Sequence, residues 1–391
     1  MKKILITLLT LKFLLFVWPG LAYADGFSVN GRWLDYFEEG DSYRTEQGVV
    51  VTTRVPGEKA GAFVKTGLLK WDFDNSSVTF RVKVSNWKEV STLSLIVGNG
   101  TKFDRAATID IKTRIVNPSN NEWLQINAPF SAWNIEGDID WTKIDNVLFS
   151  VADKGNERIT AQLSGLVVQK QPSLGAISIT IDDGLVDTIT AADLLAKRNV
   201  AGTAFIDVDT IGQPGYISES DVQRLIDSGW QIGGHRIGRL SQLSQPELSA
   251  HVERTYGYLT QHAIKTFEYA LPNGARSEAI TQTLSERFTY IHNIDGMSND
   301  GYSAIPTNIN RHSIDKHTSL ALAKTWVDAA RRGEWVVINF HTFSDTWIRE
   351  EDWSVADVEA LLDYAIEQQV PIITTADAVK RFEPQKVRWW R

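Results

Sequence analysis

The chain has 391 residues, 43% of them hydrophobic and 23% charged, with a formal net charge of −8. That is an ordinary globular composition with length for two domains, and its acidic balance argues against nucleic acid or an anionic membrane surface as the main partner. It has no cysteine, which excludes disulfides and thiolate chemistry, so any metal would be held by His and carboxylate.

At the N-terminus Lys2 and Lys3 precede an apolar run from Ile4 to Trp18, and Ala22-Tyr23-Ala24 has the small-x-small form of a signal-peptidase site. This predicts a signal peptide over residues 1–24, Asp25 as the first mature residue, and an exported protein, periplasmic or extracellular, with no membrane span in the mature chain. An uncleaved anchor is the alternative; the shortness of the run and the charge at Lys12 oppose it.

From 25 to 170 the periodicity is two. Val49–Thr53, Ser77–Val84, Thr92–Val97, Thr108–Ile115, Trp123–Asn127, Val147–Val151 and Ile159–Val168 alternate apolar and polar residues between Gly, Asn, Asp or Pro. The pattern predicts an antiparallel β-sandwich or jelly roll. Asp140–Asp145 with Val147–Gly155 resembles the closing strands of galactose-binding-like carbohydrate modules. The resemblance implies a carbohydrate-binding domain. Trp33, Trp71, Trp87, Trp123, Trp133 and Trp141 lie here; each is either a core residue or a platform for a sugar ring.

Gln171-Pro172-Ser173 is the joint to a second domain, 171–385, followed by a basic aromatic tail, 386–391. Strand and helix patterns now alternate: strand Ile177–Ile181, helix Asp187–Arg198, strand Gly202–Val208, helix Glu219–Ser228, strand Trp230–Gly233, helix Pro246–His262, strand Phe267–Leu271, helix Ser277–Phe288 and strand Thr289–Ile294. A short strand near Asn308–His312, helix Ser319–Arg332, strand Glu334–Phe340, helix Val355–Gln368 and strand Pro371–Thr374 complete the series. Ser218, Ser319 and Ser354 cap helix starts, and Gly229 and Gly333 helix ends. With no dinucleotide fingerprint or P-loop, the pattern predicts a closed or nearly closed (β/α) barrel, so the fold class is α/β plus β.

Barrel chemistry gathers at strand C-termini. The polar residues expected there are Asp182, Asp183, His235, Pro272-Asn273-Gly274, His341 and Asp345. In AISITIDDGLVDT, Ala176 to Thr188, an apolar strand runs into adjacent acids and a glycine, and the chain's turn at Gly184 lets both carboxylates meet one cavity. Such a pair can divide labour, one acid ligating a cation and one taking a proton from water; the plain alternative is a helix-capping turn.

These residues resemble the polysaccharide deacetylases with the NodB homology domain, carbohydrate esterase family four. Thr180-Ile181-Asp182-Asp183-Gly184 is similar to the T-[FY]-D-D-G motif, Tyr269–Gly274 to the F-A-Y-P-x-G form of the third motif, and Val336–His341 to the last motif. Ser354–Ala378 resembles the family's closing helix, strand and turn. The resemblance spans about Leu174 to Phe382. It implies that Asp182 is the general base, that Asp183 and His235 hold a divalent metal, zinc or similar, and that His341 protonates the leaving amine. Pro272, Asn273, Gly274 and Arg239 are candidates for substrate contact. Trp347 and Trp353 follow His341 on a βα loop and form either a stacking wall or packing under the last helix.

The second motif departs from the family. H-[ST]-x-x-H becomes His235-Arg236-Ile237-Gly238-Arg239, and a guanidinium cannot ligate a metal. Three readings stay open: a metal bound with Asp183, His235 and water, His292 or His312; Arg239 as a fixed positive charge in the cation's place; or a glycan-binding pseudoenzyme. The expected function is removal of acetyl groups from a polysaccharide, with N-acetylhexosamine units first.

Overall fold

The computed structural model describes residues 26–28, 34–35, 40–45, 48–54, 56–65, 70–100, 103, 105–112, 118–274, 277–294, 296, 298–299, 306–344 and 349–382. The expected signal peptide, Trp33, Asp345, Trp347 and the tail 386–391 lie outside the described residues.

The N-terminal part is a two-layer antiparallel sandwich. One sheet orders its strands Gly40–Arg44, Gly48–Thr53, Thr160–Lys170, Ser76–Val84 and Leu124–Ala128, with Gly26–Ser28 also paired to Thr160–Lys170. The other runs Asn134–Glu136, Arg105–Asp110, Val90–Asn99, Asn146–Asp153, Lys59–Lys65 and Leu34–Asp35. The alternation is the cause: Val78, Phe80, Val82 and Val84 share one face and meet Leu93, Leu95, Val97, Phe149 and Val151 in a single buried core. Trp87 and Trp133 are buried in that core, and Trp71 and Trp141 pack against it. Trp123 is exposed, with the Arg81 guanidinium 5.2 Å from its ring centre.

The C-terminal part is a curled parallel sheet wrapped by helices. Its strands are β1 (Ala176–Ile181), β2 (Thr203–Ile206), β3 (Gln231–Gly234), β4 (Glu268–Ala270), β5 (Tyr290–His292), β6 (His312–Ser313) and β7 (Trp335–Phe340), in the spatial order β5-β4-β3-β2-β1-β7-β6. The helices are α1 (Asp187–Ala196), α2 (Glu219–Asp227), α3 (Gln245–Gln261), α4 (Glu278–Ser285), α5 (Leu320–Arg331), α6 (Val355–Glu367) and α7 (Thr375–Arg381). Ser218, Ser319 and Ser354 accept N-terminal backbone N–H groups of α2, α5 and α6 as predicted, and Gly229 and Gly333 end helices with positive φ. β1 and β7 are buried throughout, the mark of central strands covered on both faces.

The sheet nearly closes on itself. Ile309 pairs with β5, exchanging bonds with Ile291 and Asn293, and three residues later β6 pairs with β7. Residues 309–313 therefore touch both edges of the sheet, which fits the NodB-type barrel expected from the sequence. The predicted strand Pro371–Thr374 is reduced to a bridge from Ile372 to Ile177, because α7 begins at Thr375.

One buried carboxyl joins the two parts. Glu334, fully buried just before β7, accepts from Ser131 N at 2.8 Å and from Ser131 Oγ at 2.6 Å. Burial raises its pKa from 4.5 to about 7 against the opposing pull of the Ser131 bonds. Because the folded value lies above the unfolded one, the stability contributed by the protonated carboxyl is complete below about pH 4.5 and is lost as pH rises through about 7. Urea unfolding of Glu334→Gln is expected to remove a fall in stability between pH 5 and 7 that the natural chain shows, at most about 3 kcal/mol by linkage; identical pH profiles would contradict this.

Candidate active site

β1 delivers Asp182 to the C-terminal end of the barrel. The Asp182 N–H continues the ladder to Phe340 O at 3.0 Å, so its backbone is fixed against β7. The next two residues both take left-handed conformations, Asp183 at φ 72° and Gly184 at φ 71°. Gly184 adopts this freely, whereas Asp183 is strained, one of the outliers that cluster at functional sites. The double turn sends the two carboxylates to different partners.

Asp182 is buried and held in a fork. Arg311 Nη1 donates to Oδ1 at 2.7 Å and Nη2 to Oδ2 at 3.0 Å, while Asn339 Nδ2 donates to Oδ2 at 3.3 Å. Asn339 Oδ1 accepts from Thr180 Oγ1 at 2.8 Å and from Arg311 Nη1 at 3.0 Å, which fixes its amide. The guanidinium also lies 5.4 Å from the Phe205 ring centre and is fully buried. Burial pushes the Asp182 carboxyl up, but Arg311, His235 and His341 together bring it down from 3.8 to about 2. It is therefore ionised at every physiological pH. Arg311 is the functional residue that sequence reading passed over; the clue was an arginine inside an otherwise β-patterned run, INRHSI, where only an anion could justify its burial.

Asp183 faces His235. Its Oδ1 lies 3.2 Å from His235 Nε2, and His235 Nδ1 lies 2.8 Å from Ala270 O, to which it donates. Burial opposes charging of this imidazole, yet Asp182 and Asp183 hold its pKa above the ordinary value. Gly233 and Gly234 let the strand before His235 approach its neighbours: a Cβ at Gly233 would stand 2.5 Å from Phe205, and one at Gly234 2.7 Å from Tyr269. His341 follows β7, with its Nδ1 buried and unpartnered among the described residues. The chain beyond it is pinned by Phe343 N donating to Asp187 Oδ1 at 3.2 Å and by Thr342 Oγ1 donating to Asp352 Oδ1 at 2.6 Å.

The donor geometry fits a cation at two positions. Ligands about 2.0–2.2 Å from a tetrahedral ion stand about 3.3–3.6 Å apart, and Asp183 Oδ1 and His235 Nε2 are separated by 3.2 Å, close to the lower end of that span. Catalytic zinc sites ordinarily use three protein ligands. Arg239 lies exposed at the turn that follows His235; its carbonyl accepts from Gln242 N at 3.2 Å, and its side chain makes no hydrogen bond or ion pair among the described residues. His292 and His312 are built into the barrel wall instead, with His292 Nε2 2.8 Å from Glu268 Oε2 and His312 Nε2 3.2 Å from Ser298 Oγ.

The remaining sequence candidates divide. Asn273 is exposed at φ 52° between the buried Pro272 and Gly274, on the loop that follows β4. Trp353 is a correction: it is fully buried, packs on Phe340 at 5.7 Å and donates through Nε1 to Thr318 O at 2.9 Å, so it has no face for a sugar. Its position after β7 suggested a rim, but the short pairing of Thr342–Phe343 with Asp352–Trp353 turns it inward under α6.

Residues 169–289 match the family model for polysaccharide deacetylase. No curated protein matches the chain. Among solved structures it is similar to the Xyl-CE4 domain of a multidomain xylanase from the hindgut metagenome of Trinervitermes trinervoides, at 18% identity over 53% of this chain and 91% of that one, TM-score 0.36. It is also similar to a family 4 acetyl xylan esterase from Clostridium thermocellum in complex with a cobalt ion, at 17% identity over 54% and 92%, TM-score 0.36. A third is a family 11 carbohydrate-binding module from Clostridium thermocellum in complex with a mixed-linked tetrasaccharide, at 15% identity over 39% and 91%, TM-score 0.26.

Arg311→Met leaves the Asp182 charge buried without its cation and is expected to cost about 3–5 kcal/mol in urea unfolding, with the Arg311→Met/Asp182→Leu pair recovering part of that loss. A single-variant cost within about 0.5 kcal/mol would contradict the pairing. In the natural chain the same pair contributes stability present above about pH 4 and lost as pH falls towards 2, since the folded pKa lies below the unfolded 3.8.

Proposed function

We propose that the barrel rim carrying Asp182, Asp183, His235 and His341 removes acetyl groups from a polysaccharide, with N-acetylhexosamine units as the first substrate. The family match over 169–289 supports deacetylation as the class of reaction. The observation that carries the reading is the convergence of the buried, Arg311-paired Asp182 with the Asp183–His235 pair at one strand end.

Amide hydrolysis needs a water deprotonated near neutral pH, a stabilised acyl oxygen and a proton for a poor leaving group. Asp182 accepts the water's proton; its Arg311 fork keeps it charged and oriented at the cost of basicity. His341 donates to the departing amine. Asp183 and His235 would hold a divalent cation, which when bound supplies polarisation of the acyl oxygen and a lowered pKa for water. Asn273, with Pro272 and Gly274, lies on the loop that would meet the sugar, and Arg239 belongs to the same proposed rim; Trp347 is a further candidate for substrate contact from the sequence alone. The sandwich would hold the glycan chain, and the N-terminal segment would direct export.

A second reading is a glycan-binding pseudoenzyme, favoured by one observation: Arg239 stands where the resemblance implies a third metal ligand. Acetate release from N-acetylglucosamine oligomers with added cobalt separates the two. The first reading expects turnover that falls about 10²–10⁴-fold in Asp182→Asn and rises in Arg239→His. Oligosaccharide binding without acetate release, in both the natural chain and Arg239→His, would establish the binding reading instead.

A further inference from the structure

Beside the proposed active site, on the same end of the barrel, a second group of donors converges. Asp207 follows β2 and Asp209 lies two residues on in a short turn, while His251 projects from α3. One donor atom from each lies within 4.8 Å of the other two. His251 is 1% exposed, and its Nδ1 has no hydrogen-bond partner. That orphan points at the carboxylates: it lies 4.0 Å from Asp209 Oδ2, too far for a hydrogen bond.

The rest of the imidazole explains why Nδ1 is the free atom. His251 Nε2 is 2.8 Å from Tyr269 Oη, and Tyr269 is itself buried. In the tautomer whose Nε2–H donates to the phenol oxygen, Nδ1 carries the lone pair; this is the tautomer a cation would select, with an outer partner orienting a metal-binding histidine. Asp207 is held just as firmly. Its Oδ1 accepts from Asp209 N at 3.0 Å and its Oδ2 from Ile237 N at 2.8 Å, and each oxygen keeps a further lone pair. Asp209 is the exposed member; Arg254 Nε and Nη2 donate to its two oxygens at 3.2 and 2.8 Å. Closing the ligand set requires this exposed side chain to give up part of the Arg254 fork and move the short distance towards His251 Nδ1.

We propose that Asp207, Asp209 and His251 form a divalent-cation site separate from the Asp183–His235 pair. Two carboxylates and one imidazole suit zinc, cobalt or manganese, with water filling the remaining positions. The Arg254 guanidinium weakens the site by competing for Asp209. Because Asp207 also anchors Ile237 N, an ion here braces the loop that follows His235. The site stands whether or not the rim hydrolyses acetyl groups.

The test is equilibrium dialysis of the full mature chain against cobalt(II), with metal content and the visible absorption of bound cobalt as readouts. In an Asp183→Asn/His235→Gln background, which removes the first pair, about one equivalent of cobalt is expected to remain. Adding Asp209→Asn, an exposed change that leaves the core intact, weakens binding at least about tenfold, the lower end of what losing even an outer partner costs. Arg254→Gln strengthens it, which a purely structural acid–histidine cluster would not do. No bound cobalt in the background variant, or binding indifferent to Asp209→Asn, overturns the proposal. His251→Gln repeats the test at the imidazole wherever its melting temperature shows a folded protein.

Discussion

A carboxylate with almost no solvent contact cannot stay charged unless a cation is brought to it, and the Asp182–Arg311 fork is the interaction on which the barrel end depends. The two residues are 129 positions apart. Arg311 belongs to the stretch 309–313 that touches both sheet edges, so the cation that neutralises Asp182 is carried by the segment that bridges the barrel's opening. Asn339, fixed by Thr180, completes the fork from the neighbouring strand. The arrangement keeps a negative charge fixed in a low-dielectric place, where it also draws His235 towards its charged form.

Much of this could be read in the sequence, because the signals were local. The apolar run into Asp182-Asp183-Gly184, the serine caps and the helix-ending glycines each act within a few residues, and the structure has them where the pattern put them. The long sandwich strands followed from strict alternation, whereas Gly40–Arg44 and Lys59–Lys65 were missed because glycines, charges and small residues blur the period.

What was not legible is whatever depends on distant partners. Arg311 falls within the predicted short strand near Asn308–His312, but nothing within reach of it in sequence names Asp182 as its partner. The βα position of Trp353 allows a rim or a packing role, and the structure gives packing, since the short pairing of Thr342–Phe343 with Asp352–Trp353 decides which way it faces. Asp207, Asp209 and His251 match no motif; only the folding of α3 against the loop after β2 brings them together. The carboxylate pair likewise reads as one unit in sequence, yet the left-handed turn at Asp183 splits it between a buried arginine and a histidine.

The most direct measurement is a crystal structure of the Asp182→Asn variant soaked with cobalt and a chitooligosaccharide. The account predicts an acetamido group beside residue 182, its carbonyl towards Asp183 and His235 and its nitrogen towards His341. An oligosaccharide bound only on the sandwich, with the barrel end empty of sugar at saturating concentration, would contradict it.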